Sequence, residues 1–353
     1  MSLRVVVAPD GFGSTMTAAQ AAAAIARGWS SARPGDEVIV KPQSDGGPGF
    51  LDCLAGVGAR QVATVSGPLG EPVRAAWRAG PDTAYLEVAQ ACGLHLVADP
   101  DPHTAWAASS RGVGELLRAV LADPAVRTVV VGLGGSAGTD GGRGMIEALG
   151  GFDAARRAFA GRELVVASDV DNRLTGPLGA AAVFAPQKGA DPPTVARLQE
   201  RLAGYAAELD AVAGRAVSGE PGSGAAGGIG AALLAVGARR VSGADLVAEA
   251  TGLRTALRGT DIVLTGEGRL DAQTAAGKVV ARVAAAADPS SRVVALVGEN
   301  ALDDPASIGL SAVYTLIDHS GGRDRALRDA EQVLESLAAL VAAGIDGDGV
   351  PLT

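Results

Sequence analysis

Residues 4–22 read RVVVAPDGFGSTMTAAQAA. The run Arg4 to Ala8 is rich in β-branched residues and ends at Pro9-Asp10, which predicts a short buried strand. Thr17 can then cap an alanine-rich helix reaching about Trp29. Strand, polar turn, helix is the unit from which a parallel sheet is built. It recurs at Glu37 to Pro42, a second strand stopped by Ser44-Asp45-Gly46-Gly47 and followed by a helix. Near the other end the same grammar returns three times, with strands predicted at Asp261 to Leu264, Arg292 to Val297 and Ala312 to Ile317. Helices are predicted at about Thr274 to Ala287 and Asp324 to Ala343. Two strands and three strands together make one five-stranded, doubly wound, flavodoxin-like parallel sheet, assigned to residues 1–60 and 262–353.

Between these halves the pattern changes. Gln61 to Val65, Val73 to Arg78 and Thr83 to Ala89 are alternating strands separated by Gly67-Pro68 and Gly80-Pro81, which reads as an antiparallel or mixed sheet. A helix at about Val113 to Leu121 leads to a strand at Thr128 to Leu133. Leu164 to Ala167 and Ala181 to Ala185 are short apolar runs of strand type, and Thr194 to Ala213 is a long amphipathic helix. Residues 61–261 are therefore expected to be a second, mixed α/β domain inserted into the first, with an active-site cleft between the two.

Composition narrows the function. The chain has 353 residues, 48% hydrophobic and 20% charged, so it is no disordered tail. Its balance of 30 basic and 39 acidic side chains gives −9, which repels nucleic acid and anionic lipid, and no basic patch counters it. Cys53 and Cys92 have neither disulfide-framework nor metal-site spacing. No apolar run is long enough to span a membrane and the first residues are unlike a signal peptide, so a cytoplasmic protein is expected. Glycine reaches 50 residues while aromatics are 3%, which favours pockets lined by backbone over stacked rings. Lys41, Lys188 and Lys278 are the only lysines, and the last two lie in glycine-rich motifs. Oligomeric state leaves no signal in the sequence, and a homo-oligomer stays open.

Five polar motifs follow predicted strands: Pro9 to Ser14, Ser44 to Gly47, Gly134 to Gly142, Ser168 to Asn172 and Thr265 to Asp271. The carboxyl ends of strands in open α/β sheets are where ligands bind, so these acids and glycines are expected to share one site. The Gly132 to Gly144 segment could present backbone N–H groups to an anion, with Ser136 and Thr139 as candidate helix caps. Neither a Walker lysine motif nor a dinucleotide fingerprint occurs, which argues against a nicotinamide dehydrogenase. Carboxylates without histidine suit Mg²⁺ rather than zinc, and Asp45, Asp169, Asp171 and Asp271 are the candidates. Lys188, Arg269 and Lys278 beside such carboxylates are what phosphoryl transfer requires, because the enzyme mainly positions groups and neutralises charge.

These motifs, in order, resemble a known family. Val-Ala-Pro-Asp at 7–10, Asp-Gly-Gly at 45–47, Gly-Pro-Leu-Gly at 67–70, Gly-Gly-Ser at 134–136, Ser-Asp-Val-Asp-Asn at 168–172, Pro-Gln-Lys-Gly-Ala at 186–190, Gly-Ala-Ala-Gly-Gly at 224–228 and Thr-Gly-Glu-Gly-Arg-Leu-Asp at 265–271 are similar to the bacterial glycerate kinases of the type 1 family. The resemblance implies ATP- and Mg²⁺-dependent phosphorylation of D-glycerate, or of a related small hydroxy acid, to a phosphorylated acid. The resemblance matches these positions without fixing which binds metal, acceptor or nucleotide; within it we assign Asp169, Lys188 and Arg269 to catalysis, and Asp10, Asp171, Asn172, Gln187 and Gln273 to substrate. Gly134, Gly135, Ser136 and Lys278 are assigned to the nucleotide, and Asp45 and Asp271 to the metal. The chain departs from the family's usual pattern at Gly13, where a lysine is absent, at Pro48, which replaces a glutamate, and at Thr139, which replaces an asparagine. Those departures keep open an alternative, a homologue that binds a hydroxy acid or nucleotide without turnover or acts on a different substrate.

Overall fold

The computed structural model describes residues 2–13, 15–275 and 277–345. The chain divides into two compact units, Met1–Asp45 with Asp52–Leu54 and Ala244–Thr353, and Gly46–Leu51 with Ala55–Gly243. The helices Gly243–Thr251 and Leu253–Ala256, which the sequence reading placed in the inserted part, thus fall almost wholly in the first unit.

The first unit is built on a five-stranded sheet in the order Ala312–Thr315, Arg292–Val297, Ile262–Thr265, Arg4–Val7, Glu37–Val40. Every neighbouring pair is parallel, with Val5 opposite both Val38 and Ile262, and Val294 opposite Ala312. This is the doubly wound, flavodoxin-like sheet expected. Its strands alternate two apolar faces because both sides are covered. Val5, Val7, Ile262, Leu264, Val294 and Leu296 pack with Ile25 and Trp29 of the Ala18–Ala32 helix and with Leu334 and Leu337 of the Ala330–Ala343 helix. Val6, Ala8, Val263, Ala295 and Val297 pack on the other side with Val279, Val280 and Val283. The Ala18–Ala32 helix begins at the predicted cap: the Thr17 hydroxyl accepts from the Gln20 N–H at 3.2 Å, and the Gln20 side-chain oxygen accepts from the Thr17 N–H at 2.8 Å.

Past that helix the chain turns on Asp36, whose side chain is only 3% exposed. It accepts from Arg33 Nε at 2.7 Å, the Leu3 N–H at 2.9 Å and Trp29 Nε1 at 3.0 Å. Burial alone would raise its pKa, and the three donors together outweigh that and hold it below the ordinary aspartate value. The carboxylate therefore contributes stability that is present above pH 4 and lost as pH falls through its depressed pKa. Asp36→Ala strands three donors and should cost about 2–4 kcal/mol in a denaturant titration at pH 7. The gap to wild type should narrow below pH 4; a gap constant with pH would remove the carboxylate from the account.

The second unit carries a six-stranded mixed sheet in chain order: Ala59–Ser66, Pro72–Ala79, Thr83–Glu87, Thr128–Gly132, Glu163–Ala167, Arg239–Val241. The first three pair antiparallel and the rest parallel. Leu86, Val129, Val131, Leu164 and Val166 join Leu116, Leu117, Leu198, Leu202 and Leu233 in one apolar core. Two expectations are corrected. The apolar run at 181–185 is a helical turn, Ala180–Phe184, because three alanines beneath Gly179 favour helix and the run is too short to declare a period. The last helix is broken at Asp329 into Arg323–Arg328 and Ala330–Ala343. Among the described residues no helix is long and apolar enough to cross a membrane.

Candidate active site

The reversal of winding in the first unit occurs at Arg4–Val7, which has the next strand in sequence on one side and Ile262–Thr265 on the other. Ligands bind beyond the carboxyl ends of strands at such a point. Here that end is a hollow of about 430 Å³ lined by Asp10, Phe12, Asp45, Glu267, Arg269, Asp271, Lys278 and Leu327 with neighbouring backbone. Main-chain bonds place the acids. The Ala8 N–H donates to Leu264 O at 2.7 Å and the Asp10 N–H to Gly266 O at 2.8 Å, so the two loops leave the sheet side by side. The next turn is held from behind, where the Gly298 N–H donates to Glu267 O at 3.0 Å and the Glu299 N–H to Gly268 O at 3.1 Å. A side chain at Gly266 would stand 2.0 Å from Leu296 O, so only glycine permits this approach.

Three carboxyls are thereby crowded. Burial and then the Asp45 carboxylate push Asp10 up to about 8, against the Gly11 N–H that donates to it at 2.7 Å; Glu267 raises it further and Lys278 opposes. Glu267 is 7% exposed and raised by burial, although the Thr274 hydroxyl donates to its Oε1 at 2.6 Å. Such mutual repulsion is what a cation relieves. Among the described residues no three His, Cys, Asp or Glu side chains are disposed to hold an ion by themselves. The carboxyl oxygens of Asp10, Asp45, Glu267 and Asp271 are the donor type that a hard, oxygen-preferring cation takes.

Of the residues read from the sequence, Asp10, Asp45, Arg269, Asp271 and Lys278 line this hollow. Asp271 also caps the Ala272–Ala275 turn through the Gln273 N–H at 2.9 Å and lies 3.9 Å from Arg269. Gln273 itself is exposed and is not among the lining residues. Ser14 lies outside the described residues. Glu267 and Phe12 were not singled out, although Glu267 stands between two glycines of the quoted 265–271 motif. Spacing reveals that such a loop is tight but not which of its acids turns inward.

The second unit has its own cluster. Gly134, Gly135, Ser136, Gln187 and Lys188 line a pocket of about 130 Å³ with Leu94, Val170 and Ala226. Ser136 and Thr139 are not helix caps: the Arg143–Ala148 helix starts at Gly142 with no side-chain cap, and both hydroxyls are taken up by a lysine. Lys188 is 4% exposed, with Nζ 2.6 Å from Gly138 O, 3.0 Å from Ser136 Oγ and 3.4 Å from Thr139 Oγ1. Burial lowers it to about 8, against the pull of Cys92 and Asp140. Asp140 accepts from the Ser110 N–H and hydroxyl at 2.9 and 2.8 Å and from Gly142 and Gly144 N–H, which fixes the far end of the loop. Pro48 packs its ring where a Gly135 side chain would be, 2.4 Å from that position.

Asp169, Asp171 and Asn172 follow the Glu163–Ala167 strand, as expected. Asp169 is half-buried, while Asp171 is 80% exposed and paired with Arg240 at 2.7 Å. Asn172 donates to Leu178 O at 2.8 Å and closes its own loop. None of the three is among the residues lining the 130 Å³ pocket.

Residues 5–158 and 152–346 match the profile of the Glycerate kinase family. An uncharacterized protein of Mycobacterium tuberculosis is 54% identical over 99% of this chain and 93% of its own length. A glycerate kinase of Bacillus subtilis is 36% identical over 97% and 98%, and a glycerate 2-kinase of Escherichia coli 34% identical over 98% and 100%. The solved structure of a Salmonella typhimurium LT2 protein assigned as a glycerate kinase 2 superposes with a TM-score of 0.76 at 34% identity, covering 97% of this chain and 98% of that one.

Proposed function

We infer, from the premise that this chain belongs to the glycerate kinase family and so has the fold and phosphotransferase character of a hydroxy-acid kinase, that it phosphorylates D-glycerate with ATP and Mg²⁺. The observation that carries the reading is the hollow at the winding reversal, where Asp10, Asp45 and Glu267 meet Lys278 and Arg269. Asp45 and Asp271 would hold Mg²⁺, which when bound neutralises phosphate charge and orients the transferring group. Lys278 and Arg269 balance the charge that spreads over the phosphoryl oxygens. Asp10, close to its own titration point, keeps the hollow from carrying three full negative charges before the cation arrives. Asp169 is proposed to orient the acceptor hydroxyl and take its proton as the new O–P bond forms and the bond to the departing ADP breaks. The partner is a small molecule; the charge of −9 speaks against nucleic acid and anionic membranes.

The test is ADP release by the purified protein with ATP, Mg²⁺ and a panel of small hydroxy acids, with D-glycerate expected as the fastest. Thermal stabilisation by D-glycerate or ATP without turnover would favour the binding homologue suggested by Gly13 and Pro48. Neither turnover nor stabilisation would end both readings.

A further inference from the structure

The pocket of the second unit has an unusual balance of donors and acceptors. Its Gly134, Gly135 and Ser136 N–H groups have no acceptor among the described residues. Three carbonyls of the same loop are engaged: Gly135 O accepts from the Leu94 N–H at 2.8 Å, Gly138 O from Lys188 at 2.6 Å, and Thr139 O from Arg201 Nη2 at 2.6 Å. Successive amides left over while the carbonyls are drawn away make a seat for an anion. The size of the seat limits which anion. A volume of about 130 Å³ holds roughly four waters at about 30 Å³ each, which matches an acid of about three carbons.

We propose that the Gly134–Ser136 amides hold the carboxylate of the acceptor acid, and that Lys188 is a positioning residue which sets this turn from beneath. This differs from the expectation that the turn faces nucleotide phosphate, and it rests on the hydroxy-acid kinase reading above. Each of the three oxygens bonded by Lys188 belongs to the loop, so its ammonium acts through the turn. Arg201 does the same at Thr139 O.

Two measurements test it. In Lys188→Met the KM for D-glycerate should rise about tenfold or more, the scale on which ångström-size misplacement acts, while the KM for ATP stays within about twofold. In the wild-type protein without nucleotide, D-glycerate should move the backbone amide resonances of Gly134, Gly135 and Ser136, and a Mg²⁺-loaded non-hydrolysable ATP analogue should leave them in place. The reverse pattern, or a folded Lys188→Met with an unchanged D-glycerate KM, overturns the proposal. Should Lys188→Met fail to fold, the wild-type spectra decide alone. Failure of the kinase reading would be seen separately, as no transfer to any hydroxy acid by the wild type.

Discussion

Asp10→Asn should reduce kcat by about 10²–10³-fold, the range seen when one preorganised electrostatic group is lost from a transferring centre. The substitution keeps the shape of the side chain, and its amide oxygen can still accept from the Gly11 N–H. What disappears is a carboxyl that can be ionised beside a cation and neutral without one. That property has its own signature in chelated protein. The unfolded chain releases the Asp10 proton near 3.8, whereas the folded chain holds it to about 8 under the influence of burial, Asp45 and Glu267, with Lys278 opposing. The native state thus binds more protons across that window, so stability must fall as pH rises from about 4 to 8. Asp10→Asn should flatten the fall, as read from Tm against pH in chelator, and Mg²⁺ should flatten it in the wild type. Parallel slopes for the two proteins would show that Asp10 is not the group that titrates.

The largest loss of stability is expected at Gly28→Ala. Gly28 lies in the Ala18–Ala32 helix where it crosses Ala330–Ala343, and an added methyl would sit 2.0 Å from Glu335 O and 3.0 Å from Ala338 Cβ. Backbone cannot move aside as a side chain can. The helices must separate along a contact that buries Ile25, Trp29, Leu334 and Leu337. Overpacking of this kind costs about 3 kcal/mol or more, which lowers the Tm of the first unit by roughly 6–12 °C. Gly204→Ala is the control: it lies within the Pro192–Ala213 helix with nothing within 4 Å of an added methyl. There alanine should stabilise by about 0.5–1 kcal/mol. Equal effects at the two positions would mean that close helix contact is not what retains Gly28.

Those two positions also mark what can and cannot be read without coordinates. The five-stranded parallel sheet of the first unit was legible because Arg4–Val7, Ile262–Thr265 and Arg292–Val297 are apolar runs buried on both faces and bounded by polar turns. The gathering of Asp10, Asp45 and Asp271 followed from their places just past strand ends. Other features depend on partners far away in sequence. Ser136 and Thr139 resemble helix caps locally, and only Lys188, 52 and 49 residues on, shows that their hydroxyls serve a buried ammonium. The run Ala180–Phe184 holds too few residues to distinguish a period of 2 from one of 3.6. Glu267 was hidden for a related reason: burial, and the Thr274 hydroxyl that meets it, are decided by the turn between them.

The pairing of Arg4–Val7 with Ile262–Thr265 reaches across the chain, with Arg4 bonded to Asp261 over a separation of 257 residues. On a ribosome adding about 5–20 residues per second, the first strand waits on the order of 10–50 s for its central neighbour. The Ala55–Gly243 stretch, by contrast, emerges almost whole and can collapse while the rest is still being made. During that interval Val5, Val6 and Val7 can pair with Val38, Ile39 and Val40 on one side but leave an open edge on the other, the situation in which a nascent protein depends on holding chaperones. Slow assembly of this kind makes the yield of active protein sensitive to translation speed and growth temperature, even when the finished molecule is stable.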